Sequence, residues 1–248
     1  MVRAAFIEES GNGRMEDEMR NLHDELQGRG IPVTLFVGKK LTRRQLPLTK
    51  DILVAGYVAT ILEALRQLEV SLPTPDDYPE CLHPFLHRRV WESSVAQLQR
   101  DDFITPVFAK PRGRLKRFTG NVFASPADLM FLEGASRKTL LWCSEVVKWA
   151  SEYRVFVLRG KIVGMRLYAG DASLLPEPGV VQEIVATLEA SGTARAAYAL
   201  DIGVLQEGRT ALVEMNDAYA LGSYGLEREV YTELILARWE EILTCQDT

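Results

Sequence analysis

Apolar residues recur along the first part of the chain with two different periods. Short apolar runs of strand length occupy 3–7 and 31–37. Between them Met19, Leu22 and Leu26 fall on one side of a helix predicted for 16–29, closed by Gly28 and Gly30. A third strand is predicted at 51–57 and a helix at 58–68, where Ile61, Leu62, Leu65 and Leu68 make one apolar face. This order describes a small α/β lobe. The stretch 71–79, with Pro73, Pro75 and Pro79 around Asp76 and Asp77, cannot hold regular structure and reads as a connector. A further helix is predicted for 84–99, with Pro84 in its first turn and Val90, Val95 and Leu98 turned inward.

From residue 104 the texture changes to strands separated by loops. Strands are predicted at 104–111, 121–124, 139–143, 153–158, 161–168, 197–204 and 209–216, and helices at 125–133, 179–191 and 229–244. The chain therefore reads as α/β (α+β). An N-terminal α/β lobe with linker and helix covers 1–100, and a second unit with mixed or antiparallel sheets covers 101–248.

Three polar side chains break the apolar runs near the end. Asp201 sits in Ala199-Leu200-Asp201-Ile202, and Glu214 and Asn216 sit in Leu212-Val213-Glu214-Met215-Asn216, with a turn between the two runs. Side chains of a strand alternate faces, so Glu214 and Asn216 point the same way and a hairpin partner can bring Asp201 beside them. Two carboxylates and an amide oxygen at the end of a sheet suit a hard cation, above all Mg2+, which takes its remaining ligands from water and substrate phosphates.

Two further segments carry candidate chemistry. The strand Val107-Phe108-Ala109-Lys110-Pro111 leads into 112–120, where Arg112, Arg114, Lys116 and Arg117 stand between glycines. That concentration of cations and exposed N–H groups suits a polyphosphate, and equally a solvated basic hairpin; its spacing is not that of a P-loop. The segment 141–157 reads as a strand, a short linker and another strand. Backbone groups there could meet an adenine edge with Glu152 near a ribose, or Glu152 and Arg154 could form an ordinary surface ion pair.

Composition narrows the setting. With 47% hydrophobic and 25% charged residues in 248, disorder is excluded and a sizeable core is available. A net charge of −5 argues against nucleic-acid binding over the whole surface, so any anion site must be local. Cys81, Cys143 and Cys245 lie far apart in no metal-binding pattern, which points to a reducing cytoplasm, and no apolar run approaches the ~18 residues of a membrane span. His83 and His87 lack an acid to complete a zinc site, and the only other histidine is His23, so a Ser/His/Asp arrangement is not visible.

Taken together, these segments resemble the ATP-grasp family, and within it the RimK-related ATP-dependent carboxylate-amine ligases. The signature that carries the resemblance is an Asp, a Glu about a dozen residues on and an Asn two beyond, matched by Asp201, Glu214 and Asn216. The resemblance implies a two-subdomain ATP-grasp fold, 104–150 and 151–248, with Mg-ATP between them. It implies Mg2+, or alternatively Mn2+, on Asp201, Glu214 and Asn216, and nucleotide contacts from Lys110, from the hinge Glu145, Val146 and Val147, and from Glu152 to the ribose. Glu152-Tyr153-Arg154 looks most like RimK-type members, which gives Arg154 and Arg166 a role toward phosphate or substrate, with Lys116 as a second phosphate cation. The implied reaction joins a small-molecule or peptide carboxylate to an amine through an acyl phosphate. A kinase or other phosphotransferase and a non-catalytic nucleotide-binding protein are the alternatives, and a homodimer is left open. Asp217 and the loop to Gly225 depart from the better-known ligases, so substrate recognition is expected there.

Overall fold

The computed structural model describes residues 2–113 and 118–244. It is built on three sheets, one parallel and two antiparallel, in the mixed α/β class that the hydrophobic pattern implies.

The first 70 residues alternate strands and helices: β1 (Ala4–Glu8), α1 (Asp17–Gly28), β2 (Val33–Phe36), α2 (Gly38–Thr42), β3 (Ile52–Ala55) and α3 (Val58–Gln67). Parallel strands need crossover connections, and the intervening helices supply them around a central β1 in the order β2-β1-β3. Leu22 and Leu26 of α1 and Ile61 and Leu65 of α3 are buried with Ile7 and Leu53, as the helical spacing requires.

The structure corrects the helix expected at 84–99. A short 3-10 turn at Glu80–Phe85 is followed by β4 (Val90–Ser94) and a single turn, α4 (Val95–Leu98). His87 takes a φ of 47°, which no helix can pass through, and β4 pairs with a later strand, Trp91 opposite Cys143. Only Val95 and Leu98 share a true helical face; the match of Val90 to that spacing is incidental.

Next come β5 (Val107–Pro111), β6 (Asn121–Phe123), a 3-10 turn at Pro126–Leu132 where a helix was expected, and β7 (Leu140–Glu145). They form a sheet in the order β4-β7-β5-β6 with its own buried cluster, including Val95, Ala109, Phe123, Leu132 and Leu141. The strand at 90–94, which falls within the N-terminal span on sequence grounds, thus pairs into the sheet that carries Lys110.

The last sheet comprises β8 (Trp149–Leu158), β9 (Lys161–Gly170), β10 (Ala197–Leu205) and β11 (Thr210–Asp217), ordered β11-β10-β8-β9, with α5 (Pro178–Ala190) before β10. On one face Val155, Val157, Leu200 and Ile202 pack on Ile184 and Leu188 of α5. The opposite face places Phe156, Ala197 and Ala199 in the same core as the parallel sheet and the closing helix α6 (Arg228–Thr244). No helix among the described residues is long and apolar enough to cross a membrane.

Candidate active site

The candidate site grows from one row of charges across the last sheet. Arg166 of β9 stands opposite Arg154 of β8, Arg154 opposite Asp201 of β10, and Asp201 opposite Glu214 of β11. Directly opposed residues share a face, so two cations and two anions cross the sheet in register. A regular strand would also put Leu212 on the face of Glu214. Instead the register shifts so that Ile202 pairs with Leu212 and Asp201 with Glu214, leaving Val213 as the extra residue of a bulge. Leu212 is thereby fully buried on the α5 side while Glu214 turns to the charged row.

Within that row Arg154 grips Asp201 with both ends of its fork, Nε to Oδ1 at 2.8 Å and Nη2 to Oδ2 at 2.7 Å. Burial pushes the Asp201 carboxyl up, against the downward pull of the guanidinium. The rings of Tyr224 and Tyr168 cover the Arg154 guanidinium at 4.8 and 5.9 Å. Asn216 donates from Nδ2 to Asp201 Oδ2 at 3.0 Å and to Glu214 Oε1 at 3.3 Å, so three oxygen-bearing side chains converge.

Lys110 arrives from the other sheet. In β5 the buried Val107 and Ala109 alternate with Phe108 and Lys110, which face away from that sheet's core. The Lys110 ammonium is bonded to Glu214 and to Asp77 (2.7 Å) and lies 4.7 Å from the centre of the Tyr78 ring. Burial works against its charge, but the facing carboxylates outweigh it and raise its pKa. Lys110, Glu152, Glu214, Asn216, Tyr168 and Arg195 all line one cavity of about 580 Å³ between the two antiparallel sheets. Glu152 accepts from the Tyr168 hydroxyl at 2.8 Å, and burial pushes its carboxyl upward.

Other residues expected at the site lie elsewhere. Glu145 spends its carboxylate on the backbone N–H of Arg89 (2.9 Å), and Glu145, Val146 and Val147 stand at the end of β7 and just beyond, apart from the wall of this cavity. Arg166 pairs with Glu227 (2.7 Å) and donates to the Gly225 carbonyl, turning to the outer end of the row. Lys116 lies outside the described residues. Asp217, expected to face substrate, instead receives both ends of the Arg238 fork (2.7 and 2.8 Å) and Arg195 (3.1 Å). Cys143 is buried, its thiol pushed up to about 11, as befits a core residue.

Sequence reasoning missed Asp77, Tyr78, Arg88 and Arg195. The paired acids of 76–77 were the one signal, hidden in a proline-rich connector; a lone arginine among alanines at 194–197 offered none. A second cavity, of about 270 Å³, adjoins the first through Val58, Tyr219 and Ala220 and is lined by Glu8, Glu9, Glu16 and Glu18.

No cluster of three or more His, Cys, Asp or Glu side chains arranged to hold a metal occurs among the described residues. The set present is two carboxylates and an amide, whose oxygen a half-turn of the Asn216 side chain presents in place of its nitrogen. Such all-oxygen donors fit a hard divalent cation that takes further ligands from phosphate and water.

A family model for the ATP-grasp domain, the second family of its clade, matches residues 85–234. The chain belongs to the ATP-grasp family. No curated protein sequence matches it significantly. Among solved structures, this ATP-grasp chain is similar to D-alanine–D-alanine ligase from Bacillus anthracis at 12% identity and a TM-score of 0.58, covering 98% of both chains. It is also similar to D-cycloserine synthetase, at 12% identity and a TM-score of 0.60, over 96% of this chain and 99% of that one. A third is the ATP-grasp ligase PsnB solved with minimal precursor, Mg and ADP, at 10% identity and a TM-score of 0.50, over 96% and 97%. At these identities the likeness is one of fold, and that fold is the ATP-grasp ligase fold.

Proposed function

We propose that this protein uses Mg-ATP to join a carboxylate to an amine by way of an acyl phosphate. One observation carries the reading: Lys110 from one sheet and Asp201, Glu214 and Asn216 from the other converge beside a shared cavity, in a chain of the ATP-grasp family. Phosphoryl transfer needs positioning and charge neutralisation more than a protein nucleophile, and a fixed lysine facing an acid-amide cluster supplies that setting.

The roles follow from the contacts. Lys110 exchanges a carboxylate partner for a nucleotide phosphate, and Glu152 accepts from ribose hydroxyls. Asp201, Glu214 and Asn216 would hold Mg2+, which when bound supplies charge neutralisation on the phosphates. Arg154 acts through Asp201, whose orientation its fork fixes, rather than on phosphate directly. Glu152-Tyr153-Arg154 supports a place near RimK-type ligases within the family.

The test combines binding and turnover. ADP with Mg2+ should stabilise the folded chain by about 2.7 kcal/mol at a hundred times its Kd, read as a rise in Tm. Glu214→Ala leaves Lys110 its Asp77 partner, so the variant should fold, lose the Mg-dependent part of that rise and lose ATP turnover on amine and carboxylate mixtures. Unchanged turnover in Glu214→Ala would reject the assignment.

A further inference from the structure

Strand β11 is an edge strand, and the stretch around Glu214 is held on its free side by chain from outside the sheet. The Met215 N–H donates to the Asp77 carbonyl at 2.9 Å. The Arg88 guanidinium donates to the Leu212 carbonyl through Nη1 and to the Val213 carbonyl through Nη2, each at 2.7 Å. A third bond, from Nη1 to Leu86 O at 3.1 Å, ties the fork to its own segment, and the Trp149 ring covers it at 5.3 Å.

Successive carbonyls of a regular strand point to opposite edges, so one side chain does not reach two in a row. Here the bulge at Val213 swings both toward Arg88. A bulge leaves polar backbone groups outside the ladder, and such groups need another partner when they are buried. The same bulge lets Glu214 face the charged row while Leu212 faces the core.

We propose that Arg88 is a positioning residue: its fork holds the Val213 bulge in the form that presents Glu214 to the cation and to Lys110. Arg88 lies two residues before β4, so the same contact ties the sheet that carries Lys110 to the strand that carries Glu214. A lysine has one ammonium in place of a planar fork and cannot hold two adjacent carbonyls at fixed angles. This inference rests on the reading of Asp201, Glu214 and Asn216 as the cation-binding set.

Calorimetric titration of ADP, in EDTA and across a Mg2+ series, tests it in wild type, Arg88→Lys and Arg88→Met. Loss of an outer-shell partner should raise the half-saturating Mg2+ concentration about tenfold or more in both variants. The ADP affinity measured in EDTA should stay unchanged. Leu188→Ala, a cavity in the α5 core, controls for lost stability: its Tm should fall while its half-saturating Mg2+ stays that of wild type. Should Arg88→Met fail to fold, Arg88→Lys, which keeps the charge, carries the comparison. Wild-type half-saturation in Arg88→Lys, or equal losses with and without Mg2+, overturns the role of Arg88 alone. Wild-type protein without Mg-dependent ADP binding overturns the nucleotide reading and this inference with it.

Discussion

Burial sets the charge state of Glu152, and the Asp201 and Glu214 carboxylates push its pKa further up while the Tyr168 hydroxyl pulls it down. The raised pKa has two consequences of opposite sign. In the unfolded chain Glu152 ionises at a lower pH than in the folded one, so its ionisation costs stability fully above the folded value and not at all below the unfolded one. Glu152→Gln should therefore raise Tm at neutral pH, and the gain should shrink as pH falls through the folded value; a gain that is flat with pH would refute the cause. A ribose hydroxyl, in contrast, needs the ionised acceptor, so ADP affinity should rise with pH in wild type and lose that dependence in Glu152→Gln. Asp217 shows the limit of reading single residues. Its position after the Glu-x-Asn pattern marks it as a substrate contact, yet its carboxylate joins β11 to α6 through Arg238 and to Arg195. Asp217→Ala leaves Arg238 nearly buried with only Glu241 as partner, and a loss of about 3–5 kcal/mol in urea unfolding is expected. Asp201, Glu214 and Asn216 were legible because a carboxylate in an apolar strand is conspicuous. Arg195 was not, since an isolated arginine in a loop carries no pattern.

At the level of elements, strand runs were readable wherever β-branched residues alternate or cluster, and the helices α1, α3, α5 and α6 fell within a residue or two of their periodic spans. The segment 80–99 failed because its structure is dictated by a partner about 50 residues away: β4 exists to pair with β7. The bulge in β11 was equally invisible, since nothing local in Leu212-Val213-Glu214 distinguishes it from a regular strand. Gly203 exposes another non-local demand. It lies opposite Glu152 on β8, and a β-carbon there would stand 2.4 Å from the Trp149 ring and 3.0 Å from the Ser151 carbonyl. The missing side chain thus makes room for the indole that covers Arg88. Gly203→Ala should force Trp149 aside at a cost of about 1–3 kcal/mol, seen as a lower Tm with a changed near-UV signal. A variant as stable as wild type would show that the ring has another resting place.

Across the whole molecule the cores are unequally shared. The sheet β4-β7-β5-β6 has a cluster of its own, whereas the parallel sheet, α6 and one face of the last sheet form a single one. Helix α6 contributes Tyr231, Leu234, Trp239 and Ile242 to it, and the Trp239 indole N–H donates to the Ile52 carbonyl of β3 at 3.1 Å. We therefore place the start of the ATP-grasp unit at β4 and regard the preceding lobe as completed by the end of the chain. Its α/β pattern was legible because each helix buries its own stripe; its dependence on α6 was not, because no local period reports a contact across 187 positions. A fragment spanning 2–79 keeps all three parallel strands but loses every α6 side chain from its core. It should show no cooperative urea transition by far-UV circular dichroism, while the full chain shows one. In the full chain Trp239→Ala should cost about 3–5 kcal/mol, the range for a large aromatic side chain removed from a core. A fragment that unfolds cooperatively by itself would mean that α6 merely rests on a finished lobe, and the loss in Trp239→Ala would then fall well below that range.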